Sequence, residues 1–262
     1  GDHAFWLLTD ADIAHGPDDV RRLVAKAESD RLDLVSQMVR LHAGSGWGAL
    51  LVPAFVYFFQ KLYPFPRVND PRSRTAAAAG GCVLVRREAL ARAGGIEALR
   101  GEVIDDCALG RAVKQHGPIW LGLSATEGSV RPSTGLGDVW QMVARSAYTQ
   151  LYHSPWVLAG TVLGLALLYL APPLAALAWP WHGDPLAGAL GAAAWALSAA
   201  TFVPTLALYG RSPLLAPGLP IAGLLYAAMT LDSARRHHRA QGALWKGRAG
   251  AGARDPGAAG AD

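Results

Sequence analysis

Between Ser154 and Leu231 only Asp184 and Arg211 carry a formal charge. A run this long and this apolar exceeds what the core of one ordinary domain can hide, so it constrains the chain to a membrane part. Three apolar segments, 155–179, 186–209 and 213–231, are each long enough to cross a hydrocarbon core of about 30 Å, which takes about 20 helical residues. Trp179, Trp181 and Tyr209 stand at segment ends, as interfacial aromatics do. The second segment is rich in small residues, which predicts close helix packing. No carboxylate falls inside the spans, which counts against a proton-driven transporter.

From residue 1 to about 152 charges are regularly interspersed, so the chain-wide mean hydropathy of +0.20 averages two compositions. The expected organisation is a soluble domain over 1–152, membrane helices over 153–234, and a basic, Gly/Ala-rich tail over 235–262. The net charge of +4 raises the question of nucleic acid. The basic residues cluster instead at Arg72/Arg74, Arg86/Arg87 and Arg235 to Arg239, near membrane-like segments and without an aromatic platform. Anionic lipid or a phosphate-bearing substrate fits that placement, and nucleic acid is not an expected partner. Cys82 and Cys107 lack metal-ligand spacing and read as small buried hydrophobes.

By the positive-inside rule the loop 179–185, free of Lys and Arg, lies outside and Arg211 inside. Three full spans would then carry the basic C-terminus outward, so one segment is expected to be re-entrant or interfacial. The chain opens on Gly1 without a basic, apolar leader, and reads as the back part of a longer protein.

In the first part, 4–9 reads as a buried strand, Pro17 opens a helix with Asp18 and Asp19 in its first turn, and 32–41 is strand-like. Gly80-Gly81 precede a central strand at 82–85, followed by a helix over 87–93 closed by Gly94-Gly95. Helices follow at 107–116 and 136–153, with a strand at 119–123 between them. This succession predicts an α/β fold. The segment 47–63, WGALLVPAFVYFFQKLY, is apolar nearly all round and short for a span; it reads either as an interfacial helix or as a buried core helix.

Two acidic pairs carry the chemistry. Asp10 and Asp12 in LLTDAD stand one residue apart behind an apolar strand, where two carboxylates can converge on one hard cation, or simply form a solvated turn. A divalent cation held by few protein oxygens keeps room for a diphosphate and stabilises it as a leaving group. Asp105 and Asp106 head a helix, where they serve either as an N-terminal cap or, for one of them, as a general base toward an acceptor hydroxyl. Arg145 on the 136–153 helix is a membrane-surface anchor or a cation toward a diphosphate, and the C-terminal WKGR is open to the same two readings.

The stretches LLTDADIAH, AAAAGGCVLVRREAL, IDDCALGRAVKQHG and WKGR together resemble the family 2 glycosyltransferases of GT-A (Rossmann-like) fold, most nearly the hopene-associated glycosyltransferases. Related patterns occur in membrane ceramide glucosyltransferases. The resemblance implies that Asp10 and Asp12 match a D-x-D motif binding Mn or Mg and a nucleotide-sugar diphosphate. It implies that Asp105-Asp106 match a Glu-Asp motif with Asp106 as the base, and that Arg145 matches the arginine of Q/R-x-x-R-W. That last motif reads Met142-Val143-Ala144-Arg145-Ser146, so only its arginine is present. A preceding βαβ half would bind the uridine. The activity implied is inverting transfer from a nucleotide-sugar, a UDP-sugar first, to a lipid hydroxyl at the cytoplasmic face of a bacterial inner membrane. A non-catalytic membrane scaffold and a polysaccharide synthase are the rival readings.

Overall fold

The computed structural model describes residues 3–100, 104–131 and 135–239, together with 244–245 and 248–249. It divides into two compact units, Gly1–Gly135 and Leu136–Asp262.

The first unit is built on a mixed five-stranded sheet ordered β1-β4-β3-β5-β2. The strands are β1 (Phe5–Thr9), β2 (Ile13–Ala14), β3 (Leu34–Arg40), β4 (Cys82–Arg86) and β5 (Ile119–Ser129). Only β3 and β5 run parallel; β1 with β4, β4 with β3 and β5 with β2 are antiparallel. The α/β expectation stands as a mixed α/β sheet with helices.

β4, an unbroken apolar run, lies between β1 and β3 and buries Cys82, Val83, Leu84 and Val85, as a strand covered on both faces does. β1 is less buried than expected: among the described residues it pairs only with β4, with Trp6 exposed and Phe5, Leu7 and Leu8 half-buried.

Helix α1 (Asp19–Ser29) places Leu23 and Ala27, one turn apart, in a core with Val35, Val39, Cys82 and Leu84. Asp19 at its start is buried and accepts from Gly16 N–H, Arg22 and Thr126 Oγ1. Burial works to raise its carboxyl, but these donors outweigh burial and hold it below the usual carboxylate range. Helix α2 (Trp47–Leu62) buries Leu50 to Ala54, Val56 and Tyr57 and leaves its end residues Trp47 and Leu62 exposed. Short helices α3 (Phe65–Asn69) and α4 (Arg87–Arg92) and the longer α5 (Asp105–Lys114) complete the unit. Gly94 and Gly95 end α4 with φ of +93° and +74°, the left-handed region where a side chain is strained.

The β3–β5 register runs evenly from Leu34↔Ile119 to Met38↔Leu123, then jumps to Arg40↔Gly128. The extra residues of β5 fold on themselves, with Ser124 Oγ accepting from the N–H groups of Thr126 (3.3 Å) and Glu127 (2.9 Å). Sequence reading ended this strand at residue 123 because Ser-Ala-Thr-Glu-Gly-Ser is too polar to read as a continuation.

The second unit is helical. Helix α6 (Leu136–Gln150) is followed by α7 (Pro155–Leu165), a π turn (Ala166–Leu170) and α8 (Ala171–Leu177), which form one continuous apolar helix. The π turn sits just before Pro172-Pro173, where missing N–H groups and ring bulk prevent a regular α ladder. After the short α9 (Trp179–His182) come α10 (Pro185–Leu208), a 3₁₀ turn (Pro213–Gly218) and α11 (Leu219–His238). Asp184, one of the two charges in the apolar run, caps α10 through Leu186 and Ala187 N–H at 2.9 and 3.1 Å, ahead of Pro185 at the first helical position.

Three helices, Pro155–Leu177, Pro185–Leu208 and Pro213–His238, are long and apolar enough to cross a membrane. The third is 50% buried within the chain, against 11% and 17% for the others. Its partners include α6: Trp140 Nε1 donates to Asp232 (2.8 Å), Tyr148 N–H donates to Ser233 Oγ (3.0 Å), and Arg236 reaches Gln141 (2.7 Å). Sequence composition put the boundary near 152, whereas α6 groups with the membrane-length helices through these contacts.

Candidate functional site

β1 and β2 stand at opposite ends of the strand order, yet one short turn joins them and Thr9 Oγ1 meets His15 Nε2 across it at 2.8 Å. That turn is Asp10-Ala11-Asp12. It is closed by Ile13 N–H on the Asp10 carbonyl (3.2 Å) and joined to the end of β5 by Val130 N–H on the Asp12 carbonyl (2.8 Å). Ser129 Oγ donates to Asp12 Oδ2 (2.8 Å), fixing that carboxylate, and Asp10 is exposed. A pair of hard carboxylate oxygens on one backbone-pinned turn fits a divalent cation such as Mg or Mn.

The second acidic pair reaches the same end of the sheet. Asp106 Oδ2 accepts from Gly80 N–H (2.8 Å) and Asp106 Oδ1 from its neighbour Cys107 N–H (2.7 Å). The adjacent Gly81 carbonyl accepts from Thr9 Oγ1 (2.9 Å), at the β1 residue that leads into the acidic turn. Gly80-Gly81 therefore tie the N-terminus of α5 to the end of β1. Glycine is required at Gly81, where a Cβ would lie 2.5 Å from Val39 Cγ2.

Burial raises the Asp106 carboxyl above the usual carboxylate value, the two backbone donors oppose it, and the Asp105 charge adds to the rise. The helix start and the glycine N–H keep hydrogen-bond donors on the charged form. The result is a desolvated carboxylate held by two backbone donors.

Beneath the acidic turn lies a group that sequence reading missed. Glu127, fully buried, accepts from the Cys82 thiol (3.5 Å) and, with the Gln37 amide turned so that its nitrogen faces the carboxylate, from Gln37 (3.1 Å), and His15 Nδ1 stands 3.4 Å from its Oε1. The other ring nitrogen, His15 Nε2, meets Thr9 Oγ1 at 2.8 Å. Burial and the Glu127 charge push the Cys82 thiol far above its usual range. These residues are far apart in sequence and share no motif spacing, and only the folding of β5 at Ser124–Glu127 brings them together.

Arg145 lies part-buried on α6, in the second unit. The WKGR expectation falls on positions whose side chains lie outside the described residues.

An α/β domain with two acidic pairs tied to one sheet end, continued by membrane-length helices, has the build of a membrane-bound glycosyltransferase. The chain belongs to glycosyl transferase family 21, whose family model matches residues 2–229. No curated protein matches the chain.

Proposed function

We propose that the chain is the metal-assisted part of an inverting glycosyltransferase that moves a sugar from a nucleotide-sugar, a UDP-sugar first, to the hydroxyl of a lipid at the cytoplasmic face of a bacterial inner membrane. The observation that carries the reading is the Gly80-Gly81 tie, which sets a desolvated carboxylate beside a turn bearing two hard-ligand carboxylates. Asp106 takes the proton of the acceptor hydroxyl as that oxygen attacks the anomeric carbon, and the nucleoside diphosphate leaves from the opposite side, inverting the centre in one step. Asp10 and Asp12 would hold a divalent cation, which when bound supplies charge neutralisation to the departing diphosphate. Arg145 keeps the diphosphate-binding role that the motif resemblance assigns to it.

Membrane-length helices support a lipid acceptor, because they hold the chain where such a hydroxyl is found. The GT-A assignment and the likeness to family 2, hopene-associated enzymes belong to the same proposal and make a polycyclic lipid alcohol the first acceptor to test.

The test is sugar transfer by the full-length protein carrying this chain, with membrane lipid extract as acceptor and products read by mass spectrometry. Asp106→Asn is expected to lose transfer by about 10²–10⁴-fold. Asp12→Ala is expected to lose both transfer and Mn-dependent UDP binding. Normal transfer by Asp106→Asn would remove the base assignment. Absence of any metal-dependent UDP binding in the parent would favour a non-catalytic scaffold, and long sugar polymers would favour a polysaccharide synthase.

A further inference from the structure

We propose that His15, Cys82 and Glu127 form a second metal site, of zinc type, that pins β2, β4 and β5 beneath the acidic turn and is distinct from any cation held by Asp10 and Asp12. Their ligand atoms, one from each residue, all lie within 4.8 Å of one another. Two of the three separations, 3.4 Å from His15 Nδ1 to Glu127 Oε1 and 3.5 Å from Cys82 Sγ to the same oxygen, match the edges of a tetrahedron around an ion. Bonds of about 2.0–2.3 Å give edges of that size.

The hydrogen-bond arithmetic points the same way. The Thr9 hydroxyl stands 2.9 Å from the Gly81 carbonyl and 3.3 Å from the Asp10 carbonyl, both of which only accept, so one of them can take its proton. With the proton placed there, His15 Nε2 is the donor in its 2.8 Å contact with Thr9 Oγ1. In the neutral imidazole that leaves a lone pair on Nδ1 facing a fully buried carboxylate oxygen. In that tautomer two acceptors face each other and a metal ion between them satisfies both, whereas the opposite tautomer, with Thr9 donating to Nε2 and Nδ1–H donating to Glu127, is the one expected of a metal-free site.

The third group selects between these. A lone proton needs no cysteine, whereas a buried sulfur on the same oxygen completes an N, O, S ligand set. The outer contacts suit a metal-bound histidine and carboxylate: Thr9 Oγ1 meets His15 Nε2, and Gln37, with its amide nitrogen turned to the carboxylate, donates to Glu127. Softness argues for zinc and against Mg or Mn, and three protein ligands leave one tetrahedral position for water. On binding, Cys82 gives up its proton to solvent and coordinates as thiolate, with His15 neutral and Glu127 ionised.

The test uses the full-length protein, purified without a histidine tag, and does not depend on transferase activity. Elemental analysis is expected to find about one zinc per chain in the parent. Cobalt(II) loading should give a thiolate-to-cobalt charge-transfer band. Cys82→Ser and Glu127→Gln should reduce zinc to trace, while Cys107→Ser and Asp12→Asn should keep both zinc and band. The parent's cobalt spectrum is informative even if a variant fails to fold. Parent protein without zinc and without the band after metal supplementation, or zinc retained in Cys82→Ser, would overturn the site and leave His15 simply hydrogen-bonded to Glu127.

Discussion

At the scale of single residues the decisive group is Asp106. Its carboxyl is raised by burial first and by the Asp105 charge second among the raising causes. The folded state thus favours the protonated form. The associated stability is full below the unfolded carboxylate value and is lost as pH rises through the folded one. Under the proposed mechanism activity has the opposite sense, because a base works only when ionised: kcat/KM should be present above the raised value and fall as pH drops through it. Asp105→Asn removes one raising charge while leaving both backbone donors on Asp106. The acid limb of the pH profile should therefore move to lower pH, read by transfer assays across the acid range. An unmoved limb would mean that Asp106 is not the group that titrates in catalysis. Both acidic pairs were legible in the sequence, because adjacent or alternate carboxylates behind an apolar run are a local pattern. Glu127 was not, because a single acidic residue in a polar stretch carries no periodic signal of burial.

Elements show a similar division. β4 was legible because four consecutive apolar residues suit a strand covered on both faces. The pairing of β1 with β4 was not, since pairing partners are a property of the sheet and not of the strand's own residues. Among the helices, α8 and α10 approach closely at Gly191, where a Cβ would lie 2.6 Å from the Pro172 carbonyl oxygen and 2.8 Å from the Ala176 nitrogen. Both are backbone atoms of a proline-stiffened segment and cannot swing aside. Gly191→Leu should therefore force the two helices apart and destabilise the fold by about 1–3 kcal/mol, seen as a lower Tm in detergent. The same substitution at Gly160, where nothing lies within 4 Å of a Cβ, should leave Tm nearly unchanged.

For the whole molecule, the three membrane-length helices dominate behaviour in the cell. Exposed Leu163, Leu167, Leu168, Leu190 and Leu197 on α7, the π turn and α10 have no place in water and suit acyl chains. The protein should stay in the membrane pellet after high salt and alkaline carbonate and leave it only in detergent. Release by carbonate would show that the helices lie on the membrane and do not cross it.

The sequence by itself determined the charge-poor membrane part, the α/β character of the first part and the two acidic pairs. Each of these is written in neighbouring residues through length, periodicity or adjacency. Only the tertiary structure decided that α6 groups with the membrane-length helices, that the Asp10–Asp12 turn is joined to the end of β5, and that His15, Cys82 and Glu127 converge beneath it. Those depend on strand order, on the fold in β5 at Ser124–Glu127 and on the Gly80-Gly81 tie, which join residues dozens of positions apart and leave no trace in local pattern.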